Sequence, residues 1–114
     1  MSDRLSKDAR IAIEGDNALS VSIASLWEIM IKQQIGKLDI DETSAQELQQ
    51  ICEGFGIDIL QTEIDDIDLV HKLPIIKGHG DPFDCQIICQ AQGRCLPVIT
   101  SDRKFRLYDI EVIW

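Results

Sequence analysis

No apolar run in the sequence approaches the roughly 20 residues that a helix needs to cross a bilayer, which excludes a helical membrane anchor. The start, Met1-Ser2-Asp3-Arg4, also lacks the apolar core of a secretory signal, so a soluble, cytoplasmic chain is expected. Positive charge is scarce as well. Eleven Lys and Arg against 20 Asp and Glu leave a net charge of -9. That argues against a broad basic face holding nucleic acid by neutralising many phosphates, and leaves room only for a local patch. The same acidic balance suits a pocket of carboxylates around a bound cation.

Several catalytic signatures are missing. There is no Gly-x-x-x-x-Gly-Lys-Ser/Thr loop and no Gly-x-Ser-x-Gly elbow, which removes the P-loop and the hydrolase-elbow chemistries. No Cys-x-x-Cys pair occurs among Cys52, Cys85, Cys89 and Cys95. In a reducing compartment these read as small, unbridged, buried thiols, and a zinc site on Cys85, Cys89, Cys95 and His79 is disfavoured. His71 falls at a helix end and His79 in a glycine loop, neither with nucleophile spacing. Internal repeats, low-complexity tracts and long linkers are absent too. A chain of 114 residues buries one core and hardly two, so a single domain over 1–114 is expected.

The residues present alternate between helical and extended patterns. Ser6 is a good N-cap for a short helix ending near Gly15. Residues 18–22 suit a strand that runs straight into a helix whose stripe is Ile23, Leu26, Trp27, Met30 and Ile31, closed by Gly36. Thr43 with Gln46, or Ser44 with Glu47, forms a capping box ahead of a helix reaching about Gly54. A strand over 55–60 and a helix opened by Thr62 with Asp65 follow. After the loop Lys77–Pro82, a helix from Phe83 is expected to stop at Gly93. Strands over 96–100 and 110–114 close the chain. Strands separated by helices require crossovers, hence an α/β fold with a mainly parallel sheet flanked by helices.

Three carboxylates stand out: Glu28 beside its apolar stripe, Asp84 within the stripe of its helix, and Asp102 just past a strand end, where α/β sheets gather ligands. Asp84 points toward a packed side, where an unpaired charge costs several kcal/mol, so something must neutralise it. Each also admits a plain structural role. Asp81 or Asp84 can cap its helix, Glu28 can be solvated, and Asp102 can cap a short helix near 102–106. Taken together, the three suggest a divalent metal.

With these residues on the page, the sequence resembles the PIN-domain ribonucleases, especially VapC-like toxins of type II toxin-antitoxin pairs. The resemblance rests on Leu5-Ser6, Ser22 to Lys32 with Trp27-Glu28-Ile29, Gly36-Lys37-Leu38, Asp81-Pro82-Phe83-Asp84 with Gln90-Ala91, and Val98-Ile99-Thr100-Ser101-Asp102. It implies a PIN-like three-layer fold and a metal-dependent endoribonuclease toxin that hydrolyses RNA phosphodiesters. Glu28, Asp84 and Asp102 would be the catalytic residues holding Mg²⁺ or Mn²⁺, with Asp81 at the rim, Thr100 in support and Lys32 facing RNA phosphate. A small antitoxin partner and a homodimer are also implied.

Two departures accompany the resemblance. The family opens with a central strand carrying an aspartate, followed by a helix, and no such segment precedes Leu5; four strands and reduced activity are therefore expected, with the strands over 19–22 and 96–100 facing a gap or pairing directly. The alternative is a catalytically inactive PIN remnant that binds an antitoxin or associates with itself. The second departure is Cys85, where relatives often carry arginine.

Overall fold

The computed structural model describes residues 5–38 and 42–114. Helix α1 (Lys7–Glu14) starts at Ser6, whose side chain accepts a hydrogen bond from the Ala9 N–H. Strand β1 (Ser20–Ser22) passes directly into α2 (Ile23–Gln34), because the Ser22 hydroxyl accepts from the Ala24 N–H and so ends the strand by capping the helix. Gly36, at φ +73°, closes α2 in the left-handed region that costs glycine least. Of the two expected capping boxes the second forms: Ser44 and Glu47 exchange hydrogen bonds at the start of α3 (Ala45–Gly54).

Strand β2 (Asp58–Leu60) leads to α4 (Ile64–Asp68) and a 3₁₀ turn over Leu69–Lys72. The cap of α4 lies one residue beyond the position that the sequence pattern predicts. The start is held by Glu63 and Asp66, with the Glu63 N–H donating to Asp66 Oδ2 at 2.8 Å, and not by Thr62 and Asp65. Helix α5 (Pro82–Arg94) begins at Asp81, with Pro82 in the first turn where its missing N–H costs nothing. Gly93 does not end it. The helix runs on to Arg94 and stops at Cys95, which adopts φ +54°. A Cβ on Gly93 would lie 2.7 Å from Leu69 Cδ1, so the glycine leaves room for the end of that side chain. Strands β3 (Val98–Ile99) and β4 (Val112–Ile113) flank a 3₁₀ turn over Arg103–Leu107.

Among the described residues the four strands pair in parallel, as crossovers require, but in two separate ladders and not in one sheet. Ser20, Val21 and Ser22 align with Asp58, Ile59 and Leu60, and Val98 and Ile99 align with Val112 and Ile113. Among the described residues β1 and β3 have one partner each, and they do not pair with one another.

Helix α5 packs against α2, α4 and the 3₁₀ turn at Leu69. Ile88, Cys89, Gln90 and Ala91 are all buried. Four consecutive residues sweep the helix circumference, so this stretch is enclosed on every side. The buried amide of Gln90 donates from Nε2 to the Gln61 carbonyl (3.2 Å) and, more weakly, to Leu60 O and Thr62 Oγ1 (both 3.4 Å), tying α5 to the end of β2. Arg94 meets the buried Asp66 carboxylate at 2.7 Å and pins α4 to the other end of α5. The stripe expected on α2 is only partly used. Ala24 and Leu26 are buried, whereas Trp27 is 62% exposed, because the helix face that is covered is narrower than the apolar pattern.

Candidate active site

Glu28 reaches the site from the second turn of α2, which follows β1 directly. Asp84 comes from the first turn of α5, and Asp102 from the residue that leaves β3 and caps the following 3₁₀ turn. The three line one cleft of about 610 Å³, together with Thr100 and residues of β1 and β3. The placement follows from topology: both strands end at the same cleft, and each releases its carboxylate there.

Asp84 is the most enclosed of the three. Its Oδ2 lies 3.3 Å from Nε2 of His79, whose side chain is only 5% exposed. The other ring nitrogen of His79, Nδ1, bonds the Tyr108 hydroxyl, and the imidazole also stands edge-on to Phe105 at 6.3 Å between ring centres. A carboxylate can only accept, so with Asp84 ionised and the imidazole neutral, Nε2 carries the proton and Nδ1 accepts from Tyr108. Burial, then the neighbouring Asp81 charge, push the Asp84 carboxyl above its ordinary range; the His79 hydrogen bond opposes this, and the Glu28 charge adds to it. Burial likewise raises the Tyr108 phenol.

The remaining expected residues have identifiable partners. Asp81 is the N-cap of α5, its Oδ1 accepting from the Phe83 and Asp84 N–H groups at 2.8 and 3.1 Å. Glu28 pairs with Lys32 at 3.3 Å, one turn along α2. Asp102 Oδ1 accepts from the Lys104 N–H at 3.0 Å. The Thr100 hydroxyl accepts from the Asp102 N–H at 3.1 Å.

Oxygen donors and a surplus of negative charge suit a hard divalent cation such as Mg²⁺ or Mn²⁺. The spacing does not. Among the described residues, no three His, Cys, Asp or Glu side chains stand close enough to hold one ion. The carboxylates share a cleft without forming a single donor set.

A family profile described as PIN domain matches residues 2–111. The chain belongs to the PIN-domain family. PIN domains are three-layer α/β folds, and the helices and short parallel strands seen here agree with that. PIN domains are generally nucleases that act on RNA or other nucleic acid and use divalent metals. No curated protein sequence matches this PIN domain. Among the described residues no helix is long and apolar enough to cross a membrane.

Reading the sequence missed His79 and Tyr108 as parts of the site. A histidine between two glycines looks solvated, and its partner lies 29 residues away. The available signal was Asp84 itself: a carboxylate on a packed helix face needs a donor, and His79 is the nearest preceding side chain able to supply one.

Proposed function

We propose that this chain is a PIN-type endoribonuclease of the toxin class, with the cleft between β1 and β3 receiving an RNA phosphodiester and Mg²⁺ or Mn²⁺ as its cofactor. One observation supports this reading: Glu28, Asp84 and Asp102, which come from three distant parts of the chain, line the same cleft. A divalent cation supplies an activated water and charge neutralisation to phosphodiester hydrolysis. The chain's own contribution is positional. His79 engages Oδ2 of Asp84, Thr100 fixes the backbone of Asp102, and Asp81 sets the start of α5. Glu28 pairs with Lys32, and among the described residues no three-donor group exists as the side chains stand, so weak activity is expected. A small antitoxin and a homodimer belong to the same proposal.

The same spacing favours a second reading, a non-catalytic PIN module that binds an antitoxin or a second copy. A cleavage assay on a fluorogenic RNA with increasing Mn²⁺ separates the two. The nuclease reading expects Mn²⁺-dependent cleavage that falls about 100-fold or more in Asp84→Asn. Equal, metal-independent cleavage by both proteins eliminates it. No cleavage by either protein, with the fold intact by circular dichroism, selects the binding module.

A further inference from the structure

We propose that Lys77, Arg103, Lys104 and Arg106 form a cationic rim beside the carboxylate cleft and hold the phosphates of one RNA strand next to the scissile bond, which rests on the reading of that cleft as an RNA site. Charge distribution is the first observation. From Leu69 to Gly80 and from Arg103 to Tyr108 the sequence holds five of its 11 Lys and Arg and no Asp or Glu, in a chain with 20 acidic residues. The fold brings these two segments together. His79 bonds the Tyr108 hydroxyl and stands edge-on to Phe105, and Lys104 Nζ lies 3.5 Å from the Gly78 carbonyl oxygen. Among the described residues none of the four cations forms an ion pair.

The 3₁₀ turn over Arg103–Leu107 decides where its cations point. In such a turn the side chains at i and i+3 eclipse, so the residues fall on three faces. Phe105 occupies the inward face and is 4% exposed, which leaves Arg103, Lys104 and Arg106 on the two outward faces, and all three are exposed. Arg103 and Arg106 share one of those faces, about 6 Å apart along the turn axis. Successive phosphates of a single strand are separated by a similar distance. Each guanidinium can grip one phosphate through two parallel N–H groups.

The rim begins where the cleft ends. Asp102 lines the cleft and caps the turn by accepting from the Lys104 N–H, while His79, which follows Gly78, bonds Asp84. Three carboxylates in one cleft repel a polyanion, and cations within a Debye length, about 10 Å at 0.1 M salt, offset that repulsion and draw the strand in. A chain of net charge -9 lacks a broad basic face, so its hold on phosphate is confined to a compact rim. An acidic peptide would meet the same charges, but only a phosphodiester strand continues from the rim into the cleft as a substrate.

The probe is a short fluorescein-labelled oligouridylate, titrated with the intact protein in EDTA and followed by anisotropy over a series of KCl concentrations. Each phosphate contact on a single strand contributes about 0.7 to the slope of log affinity against log salt, so Arg103→Gln with Arg106→Gln should flatten it by about 1.4 and weaken binding about tenfold at low salt. Lys77→Gln with Lys104→Gln is an independent pair expected to act in the same direction. Lys7→Gln with Arg10→Gln removes the same charge from α1 and should leave slope and affinity unchanged. Equal losses in the α1 pair reduce the effect to net charge and overturn the proposal. So does an unchanged slope in both rim pairs with the urea midpoint intact, or displacement of the RNA by blocked hexaglutamate at matched charge, which assigns the rim to an acidic protein segment. Binding is read without metal, so the nuclease reading fails separately: a flattened slope upholds the rim even where Mn²⁺ yields no cleavage, and cleavage does not rescue the rim if the slope stays.

Discussion

Asp84 sits where three influences favour its neutral form: burial first, then the Asp81 carboxylate, and, after the opposing His79 hydrogen bond, the Glu28 carboxylate. An acid whose folded pKa lies above its unfolded value binds more protons in the native state. Its contribution to stability is therefore greatest below the unfolded range, about pH 4, and is lost as pH rises through the folded pKa. Asp84→Asn, which keeps an acceptor for His79, is expected to raise the urea midpoint at pH 7, with the gain shrinking toward pH 4. A lower midpoint at pH 7 would show that the ionised carboxylate is stabilised here. A companion change tests the histidine. Tyr108→Phe removes the only donor that His79 Nδ1 has among the described residues, at a cost of about 1 kcal/mol in unfolding free energy. The ¹⁵N resonance of Nδ1 should shift as it loses that bond, and an unchanged resonance rejects the assigned tautomer. Cys89 follows the opposite logic from a reactive thiol: burial, and then the nearby Cys85, push it up to about 11, which keeps it protonated and inert at neutral pH.

At the level of elements, α5 is held at both ends by side chains rather than by apolar contact alone. Its far end depends on Arg94. Burial by itself would raise the Asp66 carboxyl, but the Arg94 and Glu63 hydrogen bonds outweigh it and hold the group below its usual range. That carboxylate therefore adds stability above about pH 4, and the addition disappears as pH falls through its depressed value. Arg94→Leu removes the counter-charge of the buried carboxylate, leaving it the Glu63 N–H, and is expected to cost about 2–3 kcal/mol at pH 7 by urea unfolding, with a smaller deficit in strong acid. The element boundaries that depend on local chemistry could be read in advance: the Ser6 cap, the Ser44 and Glu47 box, the turn at Gly36 and the start of α5 all arise within four residues of sequence. What failed was tertiary. Gly93 looks like a stop signal but serves the approach of Leu69, and Trp27 looks like core but faces outward. The site divides in the same way. That three carboxylates share a cleft follows from strand ends and helix starts, whereas the actual partners, His79 for Asp84 and Lys32 for Glu28, depend on loop path and rotamer.

At the scale of the molecule, the buried apolar set among the described residues is small: Ala9, Ala24, Leu26, Ile88, Cys89, Ala91 and Phe105. Phe55, Ile64 and Ile75 are 78%, 72% and 102% exposed, so much apolar surface is left in water. The β1–β2 pair joins α3 through β2 and α2 through β1, while the β3–β4 pair meets α1 through β4. Among the described residues no backbone ladder spans the two groups. Cooperativity between them must therefore pass through side chains, chiefly those around α5, and local opening of one group need not unzip the other. Native-state hydrogen exchange in mild denaturant should resolve two families of amides, one on β1 and β2 and one on β3 and β4, with separate opening energies. A single common isotherm for all strand amides would show that the helices alone fuse the molecule into one foldon.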